Sequence, residues 1–587
     1  MGRRGGWGGG ADGGAGNRVE AVPLSTPRPW LTSYADGVPD DIDAPTGSLY
    51  DLVRASVHAY PRNAALEFFG RTTTYADLGE QIERAAEGLR LLGVQKGDTV
   101  AIVLPNCPQH IVAFYAVLRL GGIVVEHNPL YTPRELRHQF EDHGAKVAIA
   151  WNNVVETLQA FPEDIEIRSI VSVDVTRAMP FLTRAALRLP VDKARSSRAA
   201  LTTSVRGTTP WERVVGAEPI DEHIIAPEVS DVALIQYTSG TTGNPKGATL
   251  THANLLANAA QARAWVPAIE RGRAVVYAVL PMFHAYGLTL CLTFAMSMGA
   301  RLVLFPKPDP DLILDVVAKR PATFLPAVPP IIQRLTMVAE QRGVSLEGIA
   351  ISISGAMALS SAVVEPWEAK TGGYLVEGYG LSECSPVLMA NPVAPNRRAG
   401  TVGLPLPSTE ARVVDPDEPT TDVAPGEEGE LIVRGPQVFS GYWKKPDETD
   451  AVFVAADDGG LPWFRTGDIV TIDGDGFVRI VDRIKELIIT GGFNVSPTEV
   501  EDALRRHPSV EDVAVVGLPD EHSGERVVAA VVLADGSTLD EAALRAFVRD
   551  ELTPYKVPKH VVAVDELPKS QIGKTLRRVV RQNLLAE

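Results

Sequence analysis

LGEQIERAAEGLRLLGVQKGDTVAIVLPNCPQHIVAFYAVLRLGGIVV, residues 78–125, sets the fold class. Leu78, Ile82, Ala85, Ala86 and Leu89 share one face at helical spacing, so residues 78–92 read as an amphipathic helix. Gly93 and Gly97 end it, and TVAIVL (99–104) is a short apolar run of buried-strand type. PQHIVAFYAVLRL (108–120) is a second helix closed by Gly121-Gly122, and the chain returns to strand at 123–125 and again at 147–150. Helix and strand at this spacing build a largely parallel sheet covered by helices.

Working outward, the chain has 587 residues, 45% of them apolar, ample for several domains with large cores. Lys and Arg number 56 against 73 Asp and Glu, and the net charge of −17 argues against a nucleic-acid binder. Cys107, Cys291 and Cys384 form neither a disulfide framework nor a zinc-ligand spacing, which fits a reducing compartment and a cytoplasmic location. The most apolar stretch, PMFHAYGLTLCLTFAMSMGA (281–300), opens on proline and carries His284, Gly287 and Ser297, so it reads as core and not as a membrane span. Residues 1–16 contain nine glycines, and 1–25 are expected to be a disordered tail.

Beyond residue 400 the composition shifts to Gly, Pro and Asp, with strands such as GELIVR (429–434) and GFVRIV (476–481) that suggest a small β subdomain. A compact α+β unit follows, with helices near 498–506 and 540–551 and strands at 510–516 and 527–533. The expected architecture is α/β. A large N-terminal domain (26–481) holds two parallel-type α/β subdomains and the β subdomain, residues 482–486 are a hinge, and 487–587 are a small mobile α+β domain. One segment stands apart. Residues 177–206 carry Arg177, Arg184, Arg188, Lys193, Arg195, Arg198 and Arg206 against the single acid Asp192, interleaved with Met179, Phe181, Leu182, Leu187 and Leu189. It is either a solvated surface excursion or a contact for an anionic membrane, at whose inner face the protein would then sit peripherally.

The strongest chemical signal is YTSGTTGNPKG (237–247). Hydroxyls flank Gly240 and Gly243, and Lys246 follows Pro245, so the loop offers backbone N–H groups, hydroxyls and an ammonium to a polyphosphate. A Ser/Gly-rich surface loop is the plainer alternative. The Walker A spacing, in which Lys directly follows Gly and precedes Ser or Thr, is absent.

With TYADL (74–78), PMFHAYG (281–287), YGLSE (379–383), RTGD (465–468), DRIKELIITGGFNVSPTEVE (482–501) and PKSQIGKTLRR (568–578) in order, the chain resembles the adenylate-forming superfamily of acyl-CoA synthetases, luciferases and peptide-synthetase adenylation domains. VVEHNPLYTPREL (124–136) and the GFNVSP loop look most like bacterial fatty-acid–CoA ligases.

The resemblance implies a nucleotide site made by Thr238, Ser239, Gly240, Thr241, Thr242, Gly243 and Lys246 around the phosphates, and by Gly355, Ala356, Tyr379 and Gly380 around the adenine. Ser382 would contact phosphate, Asp468 both ribose hydroxyls, and Arg483 the ribose or α-phosphate. Glu383 and Thr242 would hold Mg²⁺. Lys485 would be the hinge pivot and Lys574 the catalytic lysine of the first half-reaction. Gly491, Gly492 and Phe493 would replace Lys574 for thioester formation, and His284 would stand at the acyl carboxylate. Where some long-chain members carry a tryptophan gate, this chain has Gly287-Leu288-Thr289.

The implied activity is AMP-forming ligation of a medium- or long-chain fatty acid to coenzyme A, with ATP, fatty acid and CoA as ligands and a homodimer as a further expectation. Alternatives are a fatty acyl-AMP ligase serving a carrier protein, an aryl- or short-chain acid–CoA ligase, and a catalytically silent acyl-binding relative. Lys246, Glu383, Asp468 and Lys574 are all present, against the silent reading. The absence of a long insertion between 300 and 480 favours CoA as acceptor, and no carrier module is expected after Lys574. Gly287, Ala295, Gly299 and Ala300 either line an acyl tunnel or pack helices.

Overall fold

The computed structural model describes residues 28–221, 227–238, 245–355, 359–490, 493–520, 523–549, 552, 554–570 and 573–586. The Gly-rich tail falls outside them. The opening stretch folds as read: a helix at Tyr75–Leu91, a strand at Thr99–Val103, a helix at Pro108–Arg119 and a strand at Ile123–Glu126. TYADL starts the first of these helices with a reciprocal cap. The Thr74 hydroxyl accepts from the Asp77 N–H at 3.1 Å and donates to the Asp77 carboxylate at 2.7 Å. Tyr75 is fully buried, and its hydroxyl donates to the Ala300 carbonyl at 2.7 Å.

Two large sheets carry the N-terminal body. In the first, the strands Val232–Thr238, Ile123–Glu126, Thr99–Val103, Val147–Trp151, Ser169–Val173 and Thr209–Pro210 run parallel in that spatial order. Lys246–Thr251 and Gly441–Tyr442 extend it with antiparallel pairing on the Val232–Thr238 side. The second sheet has a parallel centre, from Tyr374–Gly380 through Ile351–Ser354, Phe324–Ala327, Val275–Ala278 and Arg301–Leu304 to Ala64–Phe68. Antiparallel strands close both of its edges. The sheets are therefore mixed at their margins, where hairpins are possible without a crossover.

A third, antiparallel sheet pairs Glu410–Val414, Gly429–Arg434, Trp463–Ile472, Phe453–Val454 and Val478–Arg483. The C-terminal unit has its own sheet, with long strands Val510–Asp520 and Gly524–Leu533, and helices Pro497–Arg505, Glu541–Arg549 and Arg577–Ala586. Its buried clusters draw only on residues from Ile488 onward, and the main cluster of the large body ends at Val478. The chain thus has separate cores on either side of residues 482–486.

The 281–300 stretch is core. It forms the consecutive helical segments Ala285–Gly287, Leu288–Thr293 (a π-helix) and Phe294–Met298, nearly all of it buried. No described helix is long and apolar enough to cross a membrane. A Cβ on Gly287 would lie 2.1 Å from the Pro281 carbonyl oxygen, and one on Gly299 would lie 2.2 Å from the Tyr60 ring. Both glycines are sites of close packing.

Candidate active site

The phosphate-loop sequence bridges two antiparallel strands. Val232–Thr238 leads in and Lys246–Thr251 leads out, with Thr238 opposite Lys246 in the ladder. Ser239, Gly240, Thr241, Thr242 and Gly243 lie outside the described residues, as does Ala356. Lys246 is half-buried at the first position of the return strand, ion-paired with Glu448, and its ammonium stands 5.2 Å from the centre of the Tyr442 ring. The Tyr442 hydroxyl donates to Glu383 Oε1 at 2.9 Å. Tyr442 thus links the loop lysine to the YGLSE carboxylate, although the three residues are distant in sequence.

Glu383 sits in the tight turn Ser382–Cys384 that follows the strand Tyr374–Gly380. It is buried, and burial raises its carboxyl pKa. Gly380 is obligatory, since a Cβ there would meet the Pro386 carbonyl oxygen at 1.8 Å. A few residues back on the same strand, Glu377 is buried too, its carboxylate accepting from the Leu359 N–H at 3.3 Å and its pKa pushed by burial from 4.5 to about 8. Its neutral form belongs to the folded state. That contribution to stability is complete below pH 4.5 and declines as pH rises to about 8. The decline amounts to about 3–5 kcal/mol. Thermal melts of wild type and E377Q between pH 5 and 8 should show the wild type losing about 4 °C more than the variant. Parallel profiles would refute this account of Glu377.

Asp468 and Arg483 face each other across the antiparallel strands Trp463–Ile472 and Val478–Arg483. Arg483 Nε donates to Asp468 Oδ1 at 2.8 Å, and the Tyr379 hydroxyl donates a short hydrogen bond to the other oxygen. Asp468 is buried, and its N–H is held by the Thr466 hydroxyl at 3.1 Å. The Asp468 charge raises the Arg483 pKa. Each carboxylate oxygen keeps a lone pair for a further donor. RTGD, YGLSE and DRIKE therefore meet at one point.

Lys574 arrives from the C-terminal unit on a tight turn. Ser570 N–H donates to the Lys574 carbonyl at 2.7 Å, and Lys574 N–H donates to Ser570 Oγ at 3.1 Å. The half-buried ammonium has a lowered pKa, through burial first and the Arg483 charge second, with Glu486 and Asp468 opposing the shift. Lys574 therefore feels the charges of Asp468 and Arg483, which belong to the other core. The strut behind it is Arg577, which donates to both Glu501 oxygens at 2.8 Å, to Thr498 Oγ1 at 2.9 Å, and pairs with Glu486.

His284 lies half-buried at the start of the Ala285–Gly287 turn, its Nδ1 accepting from the Tyr286 N–H at 3.3 Å, and burial lowers its pKa. Tyr286 itself donates to the Ile353 carbonyl at 2.8 Å and packs against Gly355, tying PMFHAYG to the end of the Ile351–Ser354 strand. Lys485 falls in the turn Ile484–Glu486, and Phe493 opens the strand Phe493–Val495. The side chains of both, with all of Gly491 and Gly492, lie outside the described residues.

The structure thus links Lys246 to Glu383 through Tyr442, and Tyr379 to Arg483 through Asp468, with Glu383 and Lys574 both feeling the Asp468 and Arg483 charges, and His284 and Gly355 are joined through Tyr286. Sequence reasoning missed Tyr442, Glu448 and Arg577 as members of this assembly. Only Arg577 carried a signal, through its place in GKTLRR.

A large α/β body whose strand-pair carboxylate receives a lysine from a small C-terminal unit is the architecture of the adenylate-forming enzymes. The chain belongs to the AMP-binding enzyme family, which matches residues 53–443, with the family's C-terminal domain matching 499–574. A long-chain-fatty-acid–CoA ligase of Bacillus subtilis (strain 168) is 39% identical over 569 residues, covering 94% of this chain and 98% of its own. The enzyme of that name from Yersinia pestis is 40% identical over 560 residues, covering 94% and 97%. Among solved structures, ATP-bound MatB from Rhodopseudomonas palustris superposes with a TM-score of 0.78 at 31% identity, covering 92% of this chain and 99% of that one.

Proposed function

We propose that the chain is an ATP-dependent, AMP-forming ligase that joins a medium- or long-chain fatty acid to coenzyme A. The observation that supports the chemistry is the buried Asp468 held by Arg483 and Tyr379, with Lys574 of the C-terminal unit within reach of their charges. The names of the relatives that match end to end support the substrate class.

In the first half-reaction a carboxylate oxygen of the acid attacks the α-phosphorus of ATP. A P–O bond forms there, and the bond to the β-phosphate oxygen breaks with loss of pyrophosphate. The Lys574 ammonium offsets the negative charge where the carboxylate and α-phosphate meet. Asp468 accepts from the ribose hydroxyls through its free lone pairs, and Arg483 holds Asp468 in place and faces the α-phosphate. Thr238, Ser239, Gly240, Thr241, Thr242, Gly243 and Lys246 form the phosphate cradle. Gly355, Ala356, Tyr379 and Gly380 enclose the adenine, and Ser382 contacts phosphate. Lys246 exchanges Glu448 for the phosphates. His284, neutral in its buried setting, positions the acyl carboxylate. In the second half-reaction the CoA sulfur, having lost its proton, attacks the acyl carbonyl carbon, and the C–O bond to AMP breaks.

Glu383 suits Mg²⁺. It is a buried carboxylate tied through Tyr442 to the phosphate lysine, and one hard carboxylate together with substrate phosphates is a usual way to hold that ion. With Thr242 it would hold the ion, which neutralises charge on the phosphate oxygens.

The boundaries of this reading are a body at 26–481, a hinge at 482–486 pivoting on Lys485, and a mobile domain at 487–587. Rotation at the hinge withdraws Lys574 and presents Gly491, Gly492 and Phe493 to the pantetheine arm. A cytoplasmic homodimer, peripheral at the inner membrane face, completes it.

A CoA-consumption assay across acids from acetate to arachidate, with benzoate included, tests the substrate class. We expect kcat/KM to rise about fourfold per methylene until the acyl site is filled. An optimum at acetate or benzoate would overturn the fatty-acid assignment.

A further inference from the structure

We propose that residues 177–206 form a rigid docking surface for anionic lipid bilayers, built on the sheet edge opposite the catalytic cleft. This deepens the peripheral position proposed above and is independent of which acid the enzyme activates.

The segment is two short helices, Phe181–Ala186 and Asp192–Ala199, joined by residues 187–191. Its apolar residues divide into two sets. Met179 is buried, and Leu187 and Leu201 pack against the main core. Phe181, Leu182, Leu189 and Val191 point outward with 72%, 80%, 55% and 52% of their surface exposed, a concentration of large exposed apolar side chains unmatched elsewhere in the described chain. The segment is clamped. Trp151 Nε1 donates to the Leu201 carbonyl at 2.7 Å, Asn153 to that of Ala199 at 2.9 Å, and Gln159 to that of Arg206 at 2.8 Å.

The charge around this apolar edge is unspent. Arg195 pairs with Asp192, and Arg177 approaches Asp174 and Glu212. Arg184, Arg188, Lys193, Arg198 and Arg206 have no acidic partner among the described residues, and the Arg184 guanidinium lies 5.9 Å from the centre of the exposed Phe181 ring. A local charge of +6 is held on a chain of net −17, so the surface is complementary to an anionic surface while the rest of the protein is repelled by one. Inserted apolar side chains together with a basic patch are the two signals that stable reversible membrane attachment needs. The segment leaves the first sheet at Ser169–Val173 and rejoins it at Thr209–Pro210. Four strand spacings separate Ser169–Val173 from Val232–Thr238, which leads into the phosphate loop, a distance of roughly 20 Å. A bilayer on that edge lies away from the strands that flank the phosphate loop.

The test is flotation of the full chain, without substrates, on vesicles of three parts phosphatidylcholine to one part phosphatidylglycerol, and on phosphatidylcholine alone. Wild type should float with the anionic vesicles only and be released by salt. R184Q/R188Q/K193Q/R198Q should lower partitioning about 100-fold, each charge contributing about fivefold at most. F181S/L182S should lower it at least about tenfold. Both variants should keep the wild-type melting temperature and octanoyl-CoA formation, since these side chains touch neither core nor cleft. Absent flotation of wild type, or equal flotation of all three proteins, overturns the proposal. So does sedimentation showing that F181S/L182S dissociates a dimer without affecting flotation, which would make the surface a self-contact. Loss of ligase activity in every protein, with flotation as expected, would count against the proposed reaction and not against the docking surface.

Discussion

Lys574→Ala should abolish most fatty-acid-dependent ATP–pyrophosphate exchange, lowering it by about 10²–10³-fold, while thioester formation from supplied acyl-adenylate stays within about threefold of wild type. The reason is positional. Lys574 feels the Asp468 and Arg483 charges from a separate core, on a turn fixed by Ser570 and followed by Arg577, which pairs with Glu486 and Glu501. Its charge is desolvated there, so it is worth more to a developing phosphate charge than a solvated ammonium would be. A lowered pKa adds a second signature. The ammonium is the working form, so exchange activity should fall on the alkaline side below the ordinary lysine value of 10.5, and the thioester step should lack that limb. Equal loss in both half-reactions would refute a lysine that serves only one domain arrangement.

What could be read from sequence was whatever a contiguous run of residues encodes. Helical spacing at 78–89 and the strand GELIVR are local, and each element lies within a few residues of its expected bounds. The pairing of RTGD with DRIKE, which sets Asp468 opposite Arg483, is not legible in either motif and is seen only in the fold. Illegible were contacts made by folding distant segments together. Lys246, Tyr442 and Glu383 are joined through Tyr442, an aromatic in a turn-rich stretch whose sequence surroundings carry no chemical pattern. Gly287 and Gly299 illustrate the converse. Their small size fitted a tunnel or a packing contact equally well, and only the position of Pro281 and Tyr60 decides for packing. The 177–206 segment was anomalous by composition, but the split of its apolar residues into Met179, Leu187 and Leu201 inward and Phe181, Leu182, Leu189 and Val191 outward depends on the clamp from Trp151 and Asn153.

Asp468→Asn should behave differently from Lys574→Ala, and the contrast separates the two halves of the proposed site. The carboxylate belongs to the large body, where Tyr379 and Arg483 engage its two oxygens, and an AMP moiety occupies that body in both half-reactions. The amide presents one acceptor and one donor. It loses the charge-assisted bond to Arg483 and places an N–H₂ group against either the Arg483 Nε–H or the Tyr379 hydroxyl. Those losses sum to about 2–4 kcal/mol, with Arg483 half-exposed and partly compensated by water. Pyrophosphate exchange and thioester formation should therefore both fall about 30- to 1,000-fold, with KM for ATP and for acyl-adenylate rising together. Burial of Asp468 adds a stability cost, so the melting temperature should drop as well, whereas that of Lys574→Ala should hold or rise because a desolvated charge is removed. If Asp468→Asn impaired exchange alone, the nucleotide would not be held by the same carboxylate in both steps. The division between a fixed nucleotide site and a visiting lysine would then be wrong.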